Sequence, residues 1–287
     1  MSGALLVVAT PIGNLSDLSP RVGEALGKAD VVLAEDTRRT RTLLAHLGLH
    51  TPLESFDAHK EREAAGRIVE RIRGGARVAL VTDAGTPGLS DPGGLLVRAV
   101  REAGLAVSPI PGPSAVAAAM SVAGADDGRF RFEGFLPRKG GERGRRLASI
   151  RDAEVPVVLF ESPQRVGRTL RELAQAGGPT RGGLVCRELT KVHEEIASGT
   201  LESLADRFAG EVLGEVTLVV LPAASGGGGA VAAAGPDPAK LAARLIGEGL
   251  APSRVARMLE DFCGLSHNEA YRIALGSGTE PRPSGRG

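Results

Sequence analysis

Tryptophan is absent from this chain and tyrosine occurs once, at Tyr271. With aromatic residues at 3%, recognition by rows of stacked aromatics is excluded. The two cysteines, Cys186 and Cys263, lie far apart and form neither a CxxC site nor a disulfide framework, so a reducing cytoplasm is the default expectation. No apolar run approaches the ~18 residues of a membrane span. The opening MSGALLVVATPIGN has no basic region ahead of its apolar run and reads as a strand, not a signal peptide. GxxxxGK[ST], a GxGxxG after the first strand and GxSxG are all missing, which removes the P-loop, the standard dinucleotide fingerprint and the hydrolase elbow. The five histidines show no metal-ligand spacing, and no metal is expected. The formal charge is only +1, although arginine outnumbers lysine 30 to 5.

What is present is an α/β pattern centred on residues 77–114, RVALVTDAGTPGLSDPGGLLVRAVREAGLAVSPIPGPS. Val78 to Val81 read as a strand buried on both faces. It runs into a loop dense in Gly, Pro, Asp and Ser, then a helix over 95–103 and a second strand ending in Pro111-Gly112-Pro113-Ser114. Rigid small-residue loops at successive strand ends are how an open α/β sheet builds a ligand crevice.

In chain order, the pattern predicts a strand over 5–10, a helix from Ser19-Pro20 to about Lys28 and a strand over 29–34. That strand leads to Glu35-Asp36-Thr37-Arg38-Arg39-Thr40, two carboxylates and two guanidiniums that form either an ion-pair cluster or part of an active cleft. Helices are predicted over 41–47 and from about 56 to 73, and a helix of small residues over 115–123. An edge strand over 129–135 follows. Residues 138–151 then carry six basic residues (Arg138, Lys139, Arg143, Arg145, Arg146, Arg151) against Glu142: a solvated helix face or a phosphate-contacting segment. Strands over 155–160, 183–186 and 215–221, with helices over 164–176 and 201–208, suggest a mixed sheet and not a second copy of the first. His193-Glu194-Glu195 reads as a solvated turn. Residues 223–238 are a Gly-rich linker, and three short helices over 239–248, 252–263 and 266–275 suggest a helix-turn-helix-like module, with Ser266 and Glu269 fitting a capping box. The tail from 277 to 287 is expected to be disordered.

The sequence words TPIGNLSDLSPR (10–21), AEDTRRT (34–40), VTDAGTPGLSDPG (81–93), PGPSA (111–115), EGFLPRK (133–139), GRR (144–146), FESPQR (160–165) and RELTKVHEE (187–195) stand in order. Through them the chain resembles the RsmI family of 16S rRNA cytidine 2′-O-methyltransferases, within the tetrapyrrole-methylase-like (class III) S-adenosylmethionine-dependent enzymes. The resemblance implies two α/β domains (1–114 and 115–222) with S-adenosylmethionine in the cleft between them, a small helical C-terminal module (239–276) and a cytoplasmic homodimer acting on 16S rRNA in the small ribosomal subunit, at a decoding-centre cytidine. Carried onto this chain, the cofactor site comprises Pro11, Asp83, Ala84, Gly85, Thr86, Asp91, Pro111, Gly112, Ser114 and Ala115, with Glu161, Ser162 and Leu189 from the second domain. Two departures stand out: Leu213 before Gly214-Glu215 where relatives often have Lys, and His59-Lys60-Glu61 where they often read His-Asn-Glu.

A ribose 2′-OH needs its proton removed as it attacks, so a base is expected nearby. Glu35, Asp36 and His59 are the candidates, with Arg38, Arg138, Lys139, Arg143, Arg145 and Arg146 as RNA contacts. The alternatives are a methyltransferase acting on a small tetrapyrrole and a non-catalytic RNA- or ribosome-binding relative. The basic run and helical tail favour RNA, and the retained small residues of the two loops favour an enzyme.

Overall fold

The computed structural model describes residues 3–57, 61–125, 128–223, 238–263 and 267–276. It divides into two compact units, residues 1–225 and 226–287. The first half of the larger unit alternates strand and helix: β1 (Ala4–Val8), α1 (Pro20–Gly27), β2 (Val31–Ala34), α2 (Thr37–His46), β3 (Leu53–Ser55), α3 (Glu61–Arg73), β4 (Arg77–Val81), α4 (Gly94–Glu102) and β5 (Ala106–Ile110). The strands form one parallel sheet in the order β3-β2-β4-β1-β5. Alternate residues of its central strands feed two cores. Leu6, Val8, Val32, Ala34, Ala79 and Val81 pack with α1 and α2 on one face. Leu5, Val31, Leu33, Val78 and Leu80 pack with α3 and α4 on the other. Burial on both faces explains why these strands are continuous apolar runs.

The second half comprises α5 (Ala115–Ser121), β6 (Arg131–Phe135), α6 (Gly141–Arg151), β7 (Val157–Glu161), α7 (Val166–Gly177), β8 (Gly182–Arg187), β9 (Glu195–Thr200), α8 (Leu201–Arg207) and β10 (Val216–Val220). Its sheet runs β6-β7-β10-β8-β9; β6 is parallel to β7 and the other pairs are antiparallel. The sheet is mixed, as the sequence pattern predicts, and the last strand lies at its centre. One face packs on α6, α7 and α8. The other buries Val158, Leu184, Cys186 and Val219 against α5 together with Ile12, which arrives from the loop after β1. That shared apolar layer holds the two sheets against each other and leaves a cleft beside it.

Two internal devices stiffen the second half. Arg181 is buried, and its guanidinium donates to the carbonyls of Ile150 and Arg151 at 3.0 and 2.8 Å and to that of Leu221 at 2.6 Å. It thereby satisfies the last carbonyls of α6 with a cation, where the helix dipole favours one. Arg143, in the first turn of α6, donates to Glu172 (2.7 Å), the Pro137 carbonyl (2.9 Å) and Thr169 (2.8 Å).

Among its described residues the smaller unit has three helices, α9 (Pro238–Gly247), α10 (Pro252–Cys263) and α11 (His267–Gly276), around Ala242, Val255, Ala256, Leu259, Ala270 and Ala274. The expected linker falls almost wholly on residues 224–237, outside the described residues, as do Ser266 of the expected capping box and the 277–287 tail. Among the described residues no helix is long and apolar enough to cross a membrane.

Candidate functional site

A cavity of about 450 Å³ opens between the two sheets at the strand ends of the first. From the first half it is walled by Ile12, Glu35, Arg39, the loop from Asp83 to Thr86, Leu89, Ser90 and Asp91. Ser114, Ala115 and Val116 enter at the start of α5, and Phe135, Phe160, Glu161, Ser162, Cys186, Leu189 and the stretch 214–217 complete it. Of the residues expected to hold a cofactor, Asp83, Ala84, Gly85, Thr86, Asp91, Ser114, Ala115, Glu161, Ser162 and Leu189 reach this wall. Pro11, Pro111 and Gly112 do not. Pro11 lines an adjoining cavity of about 230 Å³ with Arg39, Lys191 and Glu215. Gly112 has a packing reason instead: a Cβ there would lie 3.0 Å from the Ala9 Cβ and 3.2 Å from its carbonyl oxygen, so a side chain would crowd the loop against the residue that follows β1.

The loops are held by backbone and side-chain bonds that sequence alone does not display. Thr10 and Gly85 exchange both N–H···O bonds (2.9 and 3.1 Å), with Gly85 at φ +76°, a region open to glycine. Glu61 is buried, and its Oε1 accepts from the amides of Gly93 (3.0 Å), Leu95 (2.8 Å) and Leu96 (3.0 Å). The N-terminus of α4 is thus capped by a carboxylate from α3, because its own N-cap residue, Gly93, has no side chain to offer. On the other side, Leu189 sits between two non-glycine residues in the left-handed region, Glu188 (φ 51°) and Thr190 (φ 68°). Lys191 anchors that turn by binding Glu188 (2.7 Å) and Glu215 (3.0 Å). Strain of this sort persists where surrounding bonds over-determine it.

Carboxylates dominate the floor. Burial, with the charges of Glu35 and Asp83, pushes Asp91 up to about 6. Partial desolvation and the Asp83 charge raise Glu35 as well. Asp83 accepts the Asp36 amide at 3.1 Å and lies 3.5 Å from the Arg39 guanidinium. Asp36 is placed differently: it is the N-cap of α2, accepts the Arg38 amide at 2.8 Å, pairs with the Arg38 side chain at 2.8 Å, and is held at about 2 by that pairing. His59 lies outside the described residues.

Glu161 lines the cavity, yet its carboxylate is engaged within the protein. Oε1 accepts the Ser162 amide (2.7 Å) and meets Arg165 at 2.5 Å, and Oε2 accepts the Thr169 hydroxyl (2.6 Å). Thr169 in turn accepts from Arg143, whose side chain is only 5% exposed. Arg143 therefore does not present its charge to solvent, and the reading of it as an RNA contact is corrected: α6 turns that face onto α7. Arg146 is half-turned inward and pairs with Glu133 at 3.3 Å. Arg138, Lys139 and Arg145 are exposed, as are the Arg38 and Arg39 side chains at 85% and 63%. Leu213 is exposed, and the ammonium beside Glu215 comes from Lys191. Cys186 forms apolar wall, its thiol pushed up to about 11 by burial.

The sequence pattern places the Asp83–Asp91 loop, with Leu89 and Ser90, at the crevice, but gives no notice of Ile12, Phe135 and Phe160 as cavity wall or of Glu61 as its support. The aromatic pair carried a signal: Phe135 is the last residue of β6 and Phe160 the last but one of β7, near strand ends where the ligand crevice of an α/β sheet lies.

Residues 4–205 match the family model described as tetrapyrrole (corrin/porphyrin) methylases. The chain is 42% identical over 277 residues to the ribosomal RNA small subunit methyltransferase I of Xylella fastidiosa (strain Temecula1), covering 94% of this chain and 98% of that one. It is 46% identical over 225 residues to the protein of the same name from Mycobacterium tuberculosis (strain H37Rv), covering 78% and 79%. Among solved structures, uroporphyrin-III C-methyltransferase from Thermus thermophilus, complexed with S-adenyl homocysteine, matches with a TM-score of 0.54 at 20% identity, over 76% of this chain and 96% of that one. At that identity the likeness is one of fold.

Proposed function

The chain belongs to the ribosomal RNA small subunit methyltransferase I family within the tetrapyrrole (corrin/porphyrin) methylases, and from that premise we propose that it methylates the ribose 2′-oxygen of a decoding-centre cytidine in 16S rRNA, using S-adenosylmethionine. The observation that carries this reading is an anionic cavity beside a cationic rim. Glu35, Asp83 and Asp91 suit a ligand bearing a sulfonium and an ammonium, and Ile12, Val116 and Phe160 offer apolar wall to a purine. Arg39, at the cavity wall, and Arg38 beside it on α2 offer exposed guanidiniums to a phosphate backbone, and so do Arg138, Lys139 and Arg145.

S-adenosylmethionine supplies a methyl group on a sulfonium, with a neutral thioether as leaving group. The protein's part is to hold, align and deprotonate. Asp83 to Thr86, Asp91, Ser114, Ala115 and Leu189 are assigned to the cofactor, and Pro11, Pro111 and Gly112 to the loops that shape its site. Glu161 and Ser162 brace the opposite wall through Arg165. Glu35 is assigned as the base that takes the 2′-hydroxyl proton: it lines the cavity, its raised pKa favours proton acceptance, and it lacks the Arg38 pairing that makes Asp36 a weak base. The working protein is further read as a cytoplasmic homodimer.

The test is transfer of labelled methyl from S-adenosylmethionine to small ribosomal subunits lacking the modification, with a tetrapyrrole offered in parallel. Label on 16S rRNA supports the reading. Label on the tetrapyrrole alone, or none on either despite cofactor binding, rejects it.

A further inference from the structure

Phe135 is an anomaly in a chain so poor in aromatics. Its side chain is 52% exposed, yet it lines the cavity. The backbone accounts for its direction. The β6–β7 register shifts between Phe132 and Gly134, and Gly134 adopts φ +63°. A bulge of this kind re-aims the side chain that follows it, and such bulges gather beside active sites. The bulge also touches the other half of the molecule: a Cβ at Gly134 would lie 2.7 Å from Ser90 Oγ. Ser90 is itself left-handed at φ 69°, and Leu89 before it is 41% exposed and lines the same cavity. Two exposed apolar side chains, one from the loop after β4 and one from the end of β6, each next to a mutual close approach, therefore stand at one mouth.

Phe135 is backed from within. Its ring lies 5.6 Å from that of Phe160, which meets Phe132 edge-on at 4.9 Å. The segment after it is fixed as well, since the Leu136 carbonyl accepts from Arg165 (3.2 Å) and the Pro137 carbonyl from Arg143 (2.9 Å). Exposed Arg138 and Lys139 come next, within three or four residues of the ring. A rigid exposed ring followed at once by cations is the combination that binds a single-stranded nucleotide, the ring taking the base and the cations its phosphates.

We propose that Phe135, with Leu89 facing the same mouth, is the platform on which the target nucleobase stacks, so that the ribose is presented to the cavity. This rests on the functional reading above and assigns the substrate side of the same site. The energetic role belongs to the RNA and not to the cofactor.

The test compares wild type, Phe135→Ala, Phe135→Trp and Leu89→Ala for methyl transfer to unmodified small ribosomal subunits, with S-adenosylmethionine affinity measured by calorimetry. Phe135→Ala is expected to raise the KM for subunits about tenfold or more. Its cofactor dissociation constant should stay within about twofold of wild type, and its melting temperature should hold because the ring is half exposed. Phe135→Trp should restore the KM, since any flat aromatic face can stack, and Leu89→Ala should fall between. An unchanged KM in Phe135→Ala overturns the proposal. So does a matching loss of cofactor affinity, which would place the ring over the cofactor instead. Wild-type protein that labels no rRNA would reject the functional reading itself, a result visible before any variant is compared.

Discussion

Glu61 and Gly93 stand 32 residues apart, and the carboxylate of the first accepts the amide of the second at 3.0 Å. The same oxygen takes two further amides of the first turn of α4, so α3 fixes the end of the loop that begins at Asp83. Glu61→Ala leaves three amides without their acceptor and is expected to lower unfolding free energy by about 2–3 kcal/mol. Cofactor affinity should fall with it, because the Asp83–Asp91 loop loses its far anchor. Glu61→Gln keeps the accepting oxygen and should recover most of the stability. Urea unfolding of the two variants beside wild type measures both.

The carboxylate floor makes a pH prediction. Asp91 titrates near 6 in the fold against an ordinary 3.8, so between about pH 4 and pH 6 the folded state binds more protons than the unfolded one. Its contribution to stability is therefore greatest below that window and declines as pH rises through it. Asp91→Asn should abolish this decline. Affinity for a cationic cofactor runs the opposite way: it should rise as Asp91 ionises and level off above about pH 7, with the dependence lost in Asp91→Asn. Urea unfolding from about pH 4 to 8 checks the first sign, and calorimetric titration with cofactor over the same range checks the second.

Arg143 and Arg145 sit two positions apart on α6 and are expected to behave differently. Arg143→Ala removes the centre of a buried network joining Glu172, Thr169 and the Pro137 carbonyl, and should cost about 3 kcal/mol or more. Arg145→Ala should leave stability within about 0.5 kcal/mol. It should weaken RNA binding while reducing the slope of log affinity against log salt by about one. Equal destabilisation of the two variants would contradict the assignment.

The assignment of the base separates neighbours in sequence. Glu35→Gln should lower kcat at saturating cofactor by about 100-fold or more, in the range of a lost general base, beyond any weakening of cofactor binding from the loss of one cavity charge. Asp36→Asn should act through its bond to the Arg38 amide, loosening the start of α2 and lowering kcat much less. Single-turnover rates at saturating cofactor distinguish the two.

These contrasts mark where the sequence is legible. β1, β2 and β4 can be read because burial on both faces makes them near-continuous apolar runs, and the loops at their ends because they are dense in the turn formers Gly, Pro, Asp and Ser. β3 escapes notice: Leu53–Ser55 is three half-exposed residues at a sheet edge, too short for any period. Arg143 escapes because a run of basic residues does not say which of them a helix turns inward. Glu61 and Phe135 escape for a third reason, since their roles depend on partners brought together by the fold: Gly93 in one case, and the Gly134 bulge beside Ser90 in the other. Local pattern specifies elements; the support of the site is written in long-range contacts.

The most direct test of the account is to digest labelled 16S rRNA to nucleosides after reaction with the purified protein, S-adenosylmethionine and unmodified small subunits. The account predicts that the label elutes as 2′-O-methylcytidine, at one position, and disappears with Glu35→Gln. Label on a base, or on a ribose other than cytidine, would contradict it.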